Sequence, residues 1–267
     1  MSEYLDFPRD IERYKFFNRE SREHGAKLEL RTFKWLVERY TKPGDMILDP
    51  MSGIGTSLYA CAMGRKVINI EINPEFVAIQ RLNAETLSET TGVEIKEDRD
   101  FQILEMDNRR ALPLSPGVQA VIFSPPYGLV MKKTKAKDEN KLYEEKGFYM
   151  SYSEDAGNIG NISNYPLYLT AMREVYRLCL QSLVPGGIMV SVTKDYNQNF
   201  QRIYVSKDNA RVAIEVGFAM EDWHLRNSPG TVMQHIGRKR REESGKGTPE
   251  NEILVEDVMV FKRPEEM

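Results

Sequence analysis

The stretch Met46-Ile47-Leu48-Asp49-Pro50-Met51-Ser52-Gly53-Ile54-Gly55-Thr56-Ser57 constrains this chain most. A short apolar strand ends in a carboxylate and feeds a glycine turn, and a helical pattern follows that stops near Gly64. The same alternation then repeats. KVINIE (66–71) is a second strand, followed by Asn73-Pro74 and a helix to about Gly92. FQILEM (101–106) and QAVIFS (119–124) read as the third and fourth strands. A helix over 167–183 carries Tyr168, Met172, Val175, Tyr176, Cys179 and Leu183 on one face. Pro185-Gly186-Gly187 ends it, and GIMVSVTK (187–194) is the fifth strand. A helix is predicted at about 203–215, then two antiparallel strands, FAMEDWHL (218–225) and ILVEDVMVFK (253–262). Upstream, 27–41 reads as an amphipathic helix closed by Pro43-Gly44. Such alternation argues for an α/β fold with a mainly parallel sheet. Between Tyr127 and Tyr165 lies a long polar, aromatic-rich stretch of weak periodicity, a length that is uncommon unless functional.

Bulk properties exclude some classes. Of 267 residues 41% are hydrophobic and 29% charged, enough apolar material for a real core. One domain over 1–267 is expected, without repeats or low-complexity tracts. No apolar stretch is long enough to span a bilayer, and MSEYLDFPRDIERYKFF lacks a signal-peptide core. Cys61 and Cys179 sit far apart within apolar helical patterns and read as buried thiols rather than a disulfide. Those features predict a cytoplasmic protein. The net charge of −3 does not advertise a nucleic-acid binder, but positive charge clusters at Lys132, Lys133, Lys135 and Lys137 and at Arg238-Lys239-Arg240-Arg241. Either run alone reads as a solvated loop. His24, His224 and His235 are scattered, so no metal site is expected.

Gly53-Ile54-Gly55 lacks the full dinucleotide spacing, which disfavours a dinucleotide. Glu71 closes the second strand about twenty residues later, where a carboxylate can accept both hydroxyls of a ribose. After the third strand, Asp107-Asn108 offers an acceptor and an amide suited to an adenine edge. Each carboxylate alone is as readily a helix cap. Three on successive strand ends point to a bound nucleoside.

Asp49-Pro50-Met51-Ser52-Gly53-Ile54-Gly55-Thr56-Ser57 resembles the first signature of the DNA amino-methyltransferases, the N4-cytosine and N6-adenine enzymes. Ser124-Pro125-Pro126-Tyr127 resembles their second. His24-Gly25-Ala26-Lys27 resembles the upstream element these enzymes place beside the cofactor, and Leu183-Val-Pro-Gly-Gly187 with Lys194-Asp195-Tyr196 is similar to their later elements. The resemblance covers roughly 24–262, and Met51 departs from the commoner Phe. It implies a Rossmann-like class I methyltransferase: a seven-stranded, mainly parallel sheet with one antiparallel strand at the edge and helices on both faces. It further implies S-adenosylmethionine as cofactor. Glu71 would take its ribose, Asp107 its adenine amine and the Gly53–Thr56 backbone its methionine portion, with Lys27, Asp49, Pro50, Met51, Ser52, Gly55, Ile72 and Asn108 completing the contacts.

An exocyclic aromatic amine is a poor nucleophile because its lone pair is delocalised. Acceptors that grip its N–H bonds localise that pair. The Ser124 hydroxyl and Pro125 carbonyl supply two acceptors, Pro126 removes an N–H, and Tyr127 offers a face for an extruded base. Isolated, this tetrapeptide is as readily a turn. Methylation at cytosine C5 needs a cysteine nucleophile, and neither cysteine is so placed. In the family it resembles, Ser at the first position is commoner for cytosine N4 and Asp for adenine N6. The expected partner is double-stranded DNA with a flipped base, read by segments 128–165 and 226–252. Core packing competes for Tyr143, Phe148, Tyr149, Tyr152 and Tyr165. A homodimer is left open, and a prokaryotic or phage source fits. An RNA or protein methyltransferase on the same fold is the nearest rival, and a non-catalytic cofactor-binding subunit is the rival of a different class.

Overall fold

The computed structural model describes residues 2–8, 10–22, 28–126, 155–198, 201–228, 243 and 253–265. Its strands are β1 (Tyr4–Leu5), β2 (Met46–Asp49), β3 (Lys66–Glu71), β4 (Phe101–Glu105), β5 (Val118–Phe123), β6 (Leu183–Thr193), β7 (Tyr196–Gln198), β8 (Gln201–Ile203), β9 (Ala219–Asn227) and β10 (Val255–Lys262). The helices are α1 (Arg13–Phe16), α2 (Leu30–Tyr40), α3 (Tyr59–Ala62), α4 (Pro74–Thr91), α5 (Asn108–Ala111), α6 (Tyr165–Ser182) and α7 (Val205–Glu215). Eight strands make one sheet in the order β1-β9-β10-β6-β5-β2-β3-β4, while β7 and β8 form a separate hairpin.

Alternate residues on each central strand feed two different cores. Ile47, Ala120, Ile122, Val190, Val192, Val258 and Val260 face the layer with α2, α3 and α4. Leu48, Val121, Phe123, Met189, Met259 and Phe261 face the layer with α6 and α7. A sheet covered on both faces needs apolar side chains at every position, which is why its strands read as continuous apolar runs. Cys61 and Cys179 are buried in opposite layers, so they cannot meet.

The sheet differs from the seven-strand expectation in two ways. β1 adds an eighth strand, parallel to β9. The reversed strand, β10, lies inside the sheet, antiparallel to both β6 and β9. Val258, Met259, Val260 and Phe261 are fully buried, covered on both faces by the helical layers and paired on both edges. Pro185-Gly186-Gly187 does not separate helix from strand as predicted. It lies within β6, where the register against β5 shifts between Val118 and Ala120.

Helix ends follow local chemistry. Asn73 caps α4 by accepting from Glu75 N at 3.0 Å, Pro74 opens it, and Gly92 closes it at φ 71°. The upstream helix starts at Leu30 because the Glu29 carboxylate accepts from the Arg31 and Thr32 amides. Among the described residues no helix is long and apolar enough to cross a membrane.

Strand order reverses between β2, which leads to β3 and β4, and β5, which leads to β6. In open α/β sheets ligands bind beyond the carboxyl ends of the strands at such a switch point.

Candidate active site

A cleft opens at that switch point, about 900 Å³ with its mouth included, lined by residues from the ends of β2, β3, β4 and β5. Asp49, Pro50, Met51, Ser52, Gly53, Thr56, Glu71, Ile72, Asp107, Asn108, Ser124, Pro125 and Pro126 all line it. Of the predicted site residues, Gly55 lies behind the wall, and Lys27 and Tyr127 fall outside the described residues.

The turn after β2 is held from behind by amides of α4. Gln80 Nε2 donates to Ser52 Oγ at 2.9 Å and to the Gly53 carbonyl at 2.7 Å. Asn83 Nδ2 donates to the Ile54 carbonyl at 2.7 Å. Asn69 Nδ2 donates to Gln80 Oε1 at 2.8 Å, while its Oδ1 accepts from Ser57 Oγ at 2.7 Å. Gln80, Asn83 and Asn69 are completely buried, so every such amide needs a partner and fixes the turn in return. Gly55 adopts φ +78°, and a Cβ there would sit 2.8 Å from Gln80 Cγ. Only glycine fits both the left-handed conformation and the space.

Glu71 faces this turn from β3. Its Oε2 accepts from Gly53 N at 2.7 Å and its Oε1 from Asn73 N at 2.9 Å. Burial pushes its carboxyl up to about 7 despite those donors. Asp49 accepts from Met51 N at 3.1 Å, and burial with the nearby Glu71 charge raises it to about 7 as well. Two buried carboxylates with no facing cation among the described residues favour a ligand that brings donors or positive charge.

Asp107 is different. Burial alone would raise its carboxyl, but hydrogen bonds from Arg109 hold it below the ordinary range. Arg109 grips both oxygens, Nε to Oδ1 at 3.0 Å and Nη2 to Oδ2 at 2.6 Å, and Nη2 also donates to the Gly157 carbonyl at 2.8 Å. Oδ1 also accepts from Arg109 N, so the free acceptor capacity of Asp107 lies on Oδ2. Asn108 Nδ2 donates to the Pro50 carbonyl at 2.9 Å, and its buried Oδ1 has no partner among the described residues. An orphaned acceptor on the cleft wall fits a ligand amine.

Opposite, Ser124, Pro125 and Pro126 leave β5 and line the same cleft, with Pro125 buried. Sequence reasoning missed the far wall, Gly157-Asn158-Ile159, which precedes α6. A Cβ at Gly157 would lie 2.9 Å from Asp107 Oδ2 and 3.2 Å from Ile72 Cδ1. The missed signal was a glycine followed by an asparagine inside the aperiodic stretch. Tyr165, an aromatic predicted for substrate contact or packing, donates to Asp208 Oδ2 at 3.0 Å and stacks on Tyr168, so it packs. Segments 127–154 and 229–242, with Arg238-Lys239-Arg240-Arg241, lie outside the described residues. His224 is buried between Tyr40 Oη, 2.7 Å from Nε2, and the Glu3 amide on Nδ1. Neither thiol is poised for attack: burial lifts Cys61 to about 12 and raises Cys179 as well.

Residues 8–81 match the family described as DNA methylase, covering N6 and N4 types. A tRNA (guanine(10)-N2)-dimethyltransferase of Methanothermobacter thermautotrophicus is 35% identical over 39% of this chain and 28% of its own. DNA adenine methyltransferase YhdJ of Escherichia coli is 30% identical over 39% of this chain and 35% of its own. Type II methyltransferase M.Cfr9I of Citrobacter freundii is 48% identical over 23% of this chain and 22% of its own. The chain thus spans about a third or less of the length of these relatives. Among solved structures, TrmN from Thermus thermophilus superposes with a TM-score of 0.51 at 16% identity, covering 88% of this chain and 49% of its own. A geranyl diphosphate methyltransferase bound to sinefungin gives 0.51 at 14% identity, over 88% and 79%. The fold is that of the Rossmann-like methyltransferases, and over residues 8–81 the chain is similar to the DNA amino-methyltransferases, with N4 and N6 types undivided.

Proposed function

We propose that this protein transfers a methyl group from S-adenosylmethionine to an exocyclic amino group of a base in DNA, with cytosine N4 the first choice. The observation that carries this reading is the meeting of Ser124-Pro125-Pro126 with the Asp49–Thr56 turn and Glu71 on one cleft. The cofactor, when bound, supplies an electrophilic methyl group on a sulfonium whose leaving group is a neutral thioether.

The residues present fit that cofactor. Glu71 would accept the ribose hydroxyls, and Asp107 Oδ2 with the Asn108 side chain would meet the adenine edge. Asp49 and the turn from Pro50 to Thr56 would hold the amino-acid end, with Met51 and Ile72 packing against it. Gly157 leaves the room beside Asp107 and Ile72 that a side chain would fill.

At the acceptor, Ser124 Oγ and the Pro125 carbonyl would each take an N–H of the amine and draw its nitrogen towards tetrahedral geometry. Held by these two acceptors, the amine would present its lone pair to the cofactor side of the cleft and release its proton to solvent once methylated. Pro126 has no N–H to compete for those acceptors. Tyr127, next in sequence, would stack on the extruded base. Ser124 rather than Asp favours cytosine N4 over adenine N6. The similarity to a tRNA guanine-N2 dimethyltransferase supports a second reading, an exocyclic amine in RNA.

Incubation with labelled S-adenosylmethionine and unmethylated genomic DNA, followed by nucleoside digestion and mass spectrometry, tests the proposal. N4-methylcytosine is the expected product. N6-methyladenine would overturn the base choice alone, and label confined to RNA would overturn DNA as the acceptor.

A further inference from the structure

The mechanism leaves a buried cation beside the cleft unused. Arg13 lies in α1, only 4% exposed, with its guanidinium over the Phe17 ring at 4.8 Å. Its Nε donates to Asp10 Oδ2 at 3.1 Å. Its Nη2 donates to the Leu28 carbonyl and to Thr56 Oγ1, the latter at 3.1 Å. Its Nη1 is buried with no partner among the described residues. A guanidinium presents five N–H donors, and leaving part of it unsatisfied in the interior costs free energy. Both residues that Nη2 touches, Leu28 and Thr56, line the cleft.

The cleft is lopsided in charge. Its described lining holds Asp49, Glu71 and Asp107 but no lysine or arginine. Arg109 is taken up by Asp107 and Gly157. Arg13 stands directly behind Thr56, at the end of the turn opposite Asp49. Because Thr56 Oγ1 already accepts from Arg13, the hydroxyl's own proton is left to point at an acceptor. A guanidinium behind a hydroxyl polarises it, and the pair suits a carboxylate.

We infer that Arg13, acting with the Thr56 hydroxyl, is the dock for the α-carboxylate of the cofactor's amino-acid end. This rests on the cofactor reading above. It makes α1 part of the cofactor site, and Arg13 a binding residue that motif reading does not reach.

Two ligands that differ only at that end separate the possibilities. S-Adenosylhomocysteine keeps the carboxylate, whereas 5′-methylthioadenosine shares the adenosine and thioether but lacks the amino-acid group. Titration calorimetry on the full chain would compare the native protein with Arg13→Met, Arg13→Lys and Thr56→Val. Arg13→Met is expected to weaken S-adenosylhomocysteine by about tenfold or more, the scale of a missing hydrogen bond to a charged group. Methylthioadenosine should stay within about twofold on the same scale, and Arg13→Lys should recover part of the loss. Equal weakening of both ligands would mean that Arg13 only pins the chain at Leu28 and Thr56, and would overturn the inference. So would unchanged binding of both. Should Arg13→Met fail to fold, Thr56→Val, nearly the same shape, must show the same selective loss. A native protein that binds neither ligand would overturn the cofactor reading and this inference with it. Binding of both ligands by the native protein with no selective loss in the variants overturns the inference alone.

Discussion

Glu71 gives the most quantitative handle on this site. In the ligand-free protein its carboxyl is buried, 9% exposed, and sits at about 7 against an ordinary 4.5. The gap corresponds to about 3 kcal/mol of destabilisation once the group is ionised in the folded state. The sign follows from the proton balance. Between the unfolded value and about 7 the folded chain keeps a proton that the unfolded chain has lost. Stability is therefore full below about 4.5 and falls as pH rises through about 7. Glu71→Gln keeps the shape and removes the titration, although an amide has one acceptor for the Gly53 and Asn73 N–H groups where the carboxyl has two. Urea unfolding of the ligand-free protein at pH 5 and pH 8 should show the native chain losing about 2 kcal/mol more than Glu71→Gln across that interval. Asp49 adds to the difference, because its own raised value owes part to the Glu71 charge. Parallel pH profiles for the two proteins would refute the account of Glu71 as a buried, strained carboxyl. Saturating S-adenosylhomocysteine should flatten the native profile, since ribose hydroxyls donated to Glu71 favour its ionised form.

Other perturbations separate binding from chemistry. Ser124→Ala should leave S-adenosylhomocysteine affinity near native by calorimetry while turnover on DNA falls about 10²-fold; native turnover would remove the hydroxyl from the mechanism. Gly55→Ala should cost about 2–4 kcal/mol in urea unfolding, combining a left-handed conformation with overpacking against Gln80 and Leu58. Replacing Arg238, Lys239, Arg240 and Arg241 with glutamine should weaken DNA binding and flatten its dependence on salt. The slope should fall by about 0.9 for each phosphate that is no longer neutralised, and an unchanged slope would exclude this segment from phosphate binding.

The β2–β3 side of the cleft was largely legible in the sequence because its information is local. A strand end, a glycine turn and a helix start are contiguous, so Asp49, Gly53 and Glu71 could be placed on its lining by spacing. Gln80 and Asn83 were not, although their signal was present. They fall within the buried stripe of α4 with Phe76, Val77, Ile79, Ala84 and Leu87, and an amide in such a stripe needs an internal partner. Which partner it finds is a tertiary fact. Gly157-Asn158-Ile159 and Arg13 were hidden for the same reason: the first lines the cleft, and the second backs Thr56 behind it, each from a segment without a motif. The position of the reversed strand was also non-local. Nothing in ILVEDVMVFK says that it will lie between β6 and β9, because an apolar run buried on both faces looks the same wherever it is inserted.

The charges around the cleft, taken together, give a reason for building the site from both ends of the turn. An amino-acid group is a zwitterion, and a turn that offers only backbone amides would distinguish its two poles weakly. Here Asp49 stands at the start of the turn, with its carboxyl raised by burial and by Glu71, so an ammonium nearby would restore its charge. At the other end Thr56 is backed by the Arg13 guanidinium. A zwitterion bound in one direction satisfies both; reversed, it would set like charges together at each end. Because α4 holds the turn between them through Gln80 and Asn83, the spacing of the two poles is fixed before the ligand arrives. That arrangement would fix which way the amino-acid end lies along the turn, so Asp49, Thr56 and Arg13 would orient a ligand that Ser124 meets from across the cleft.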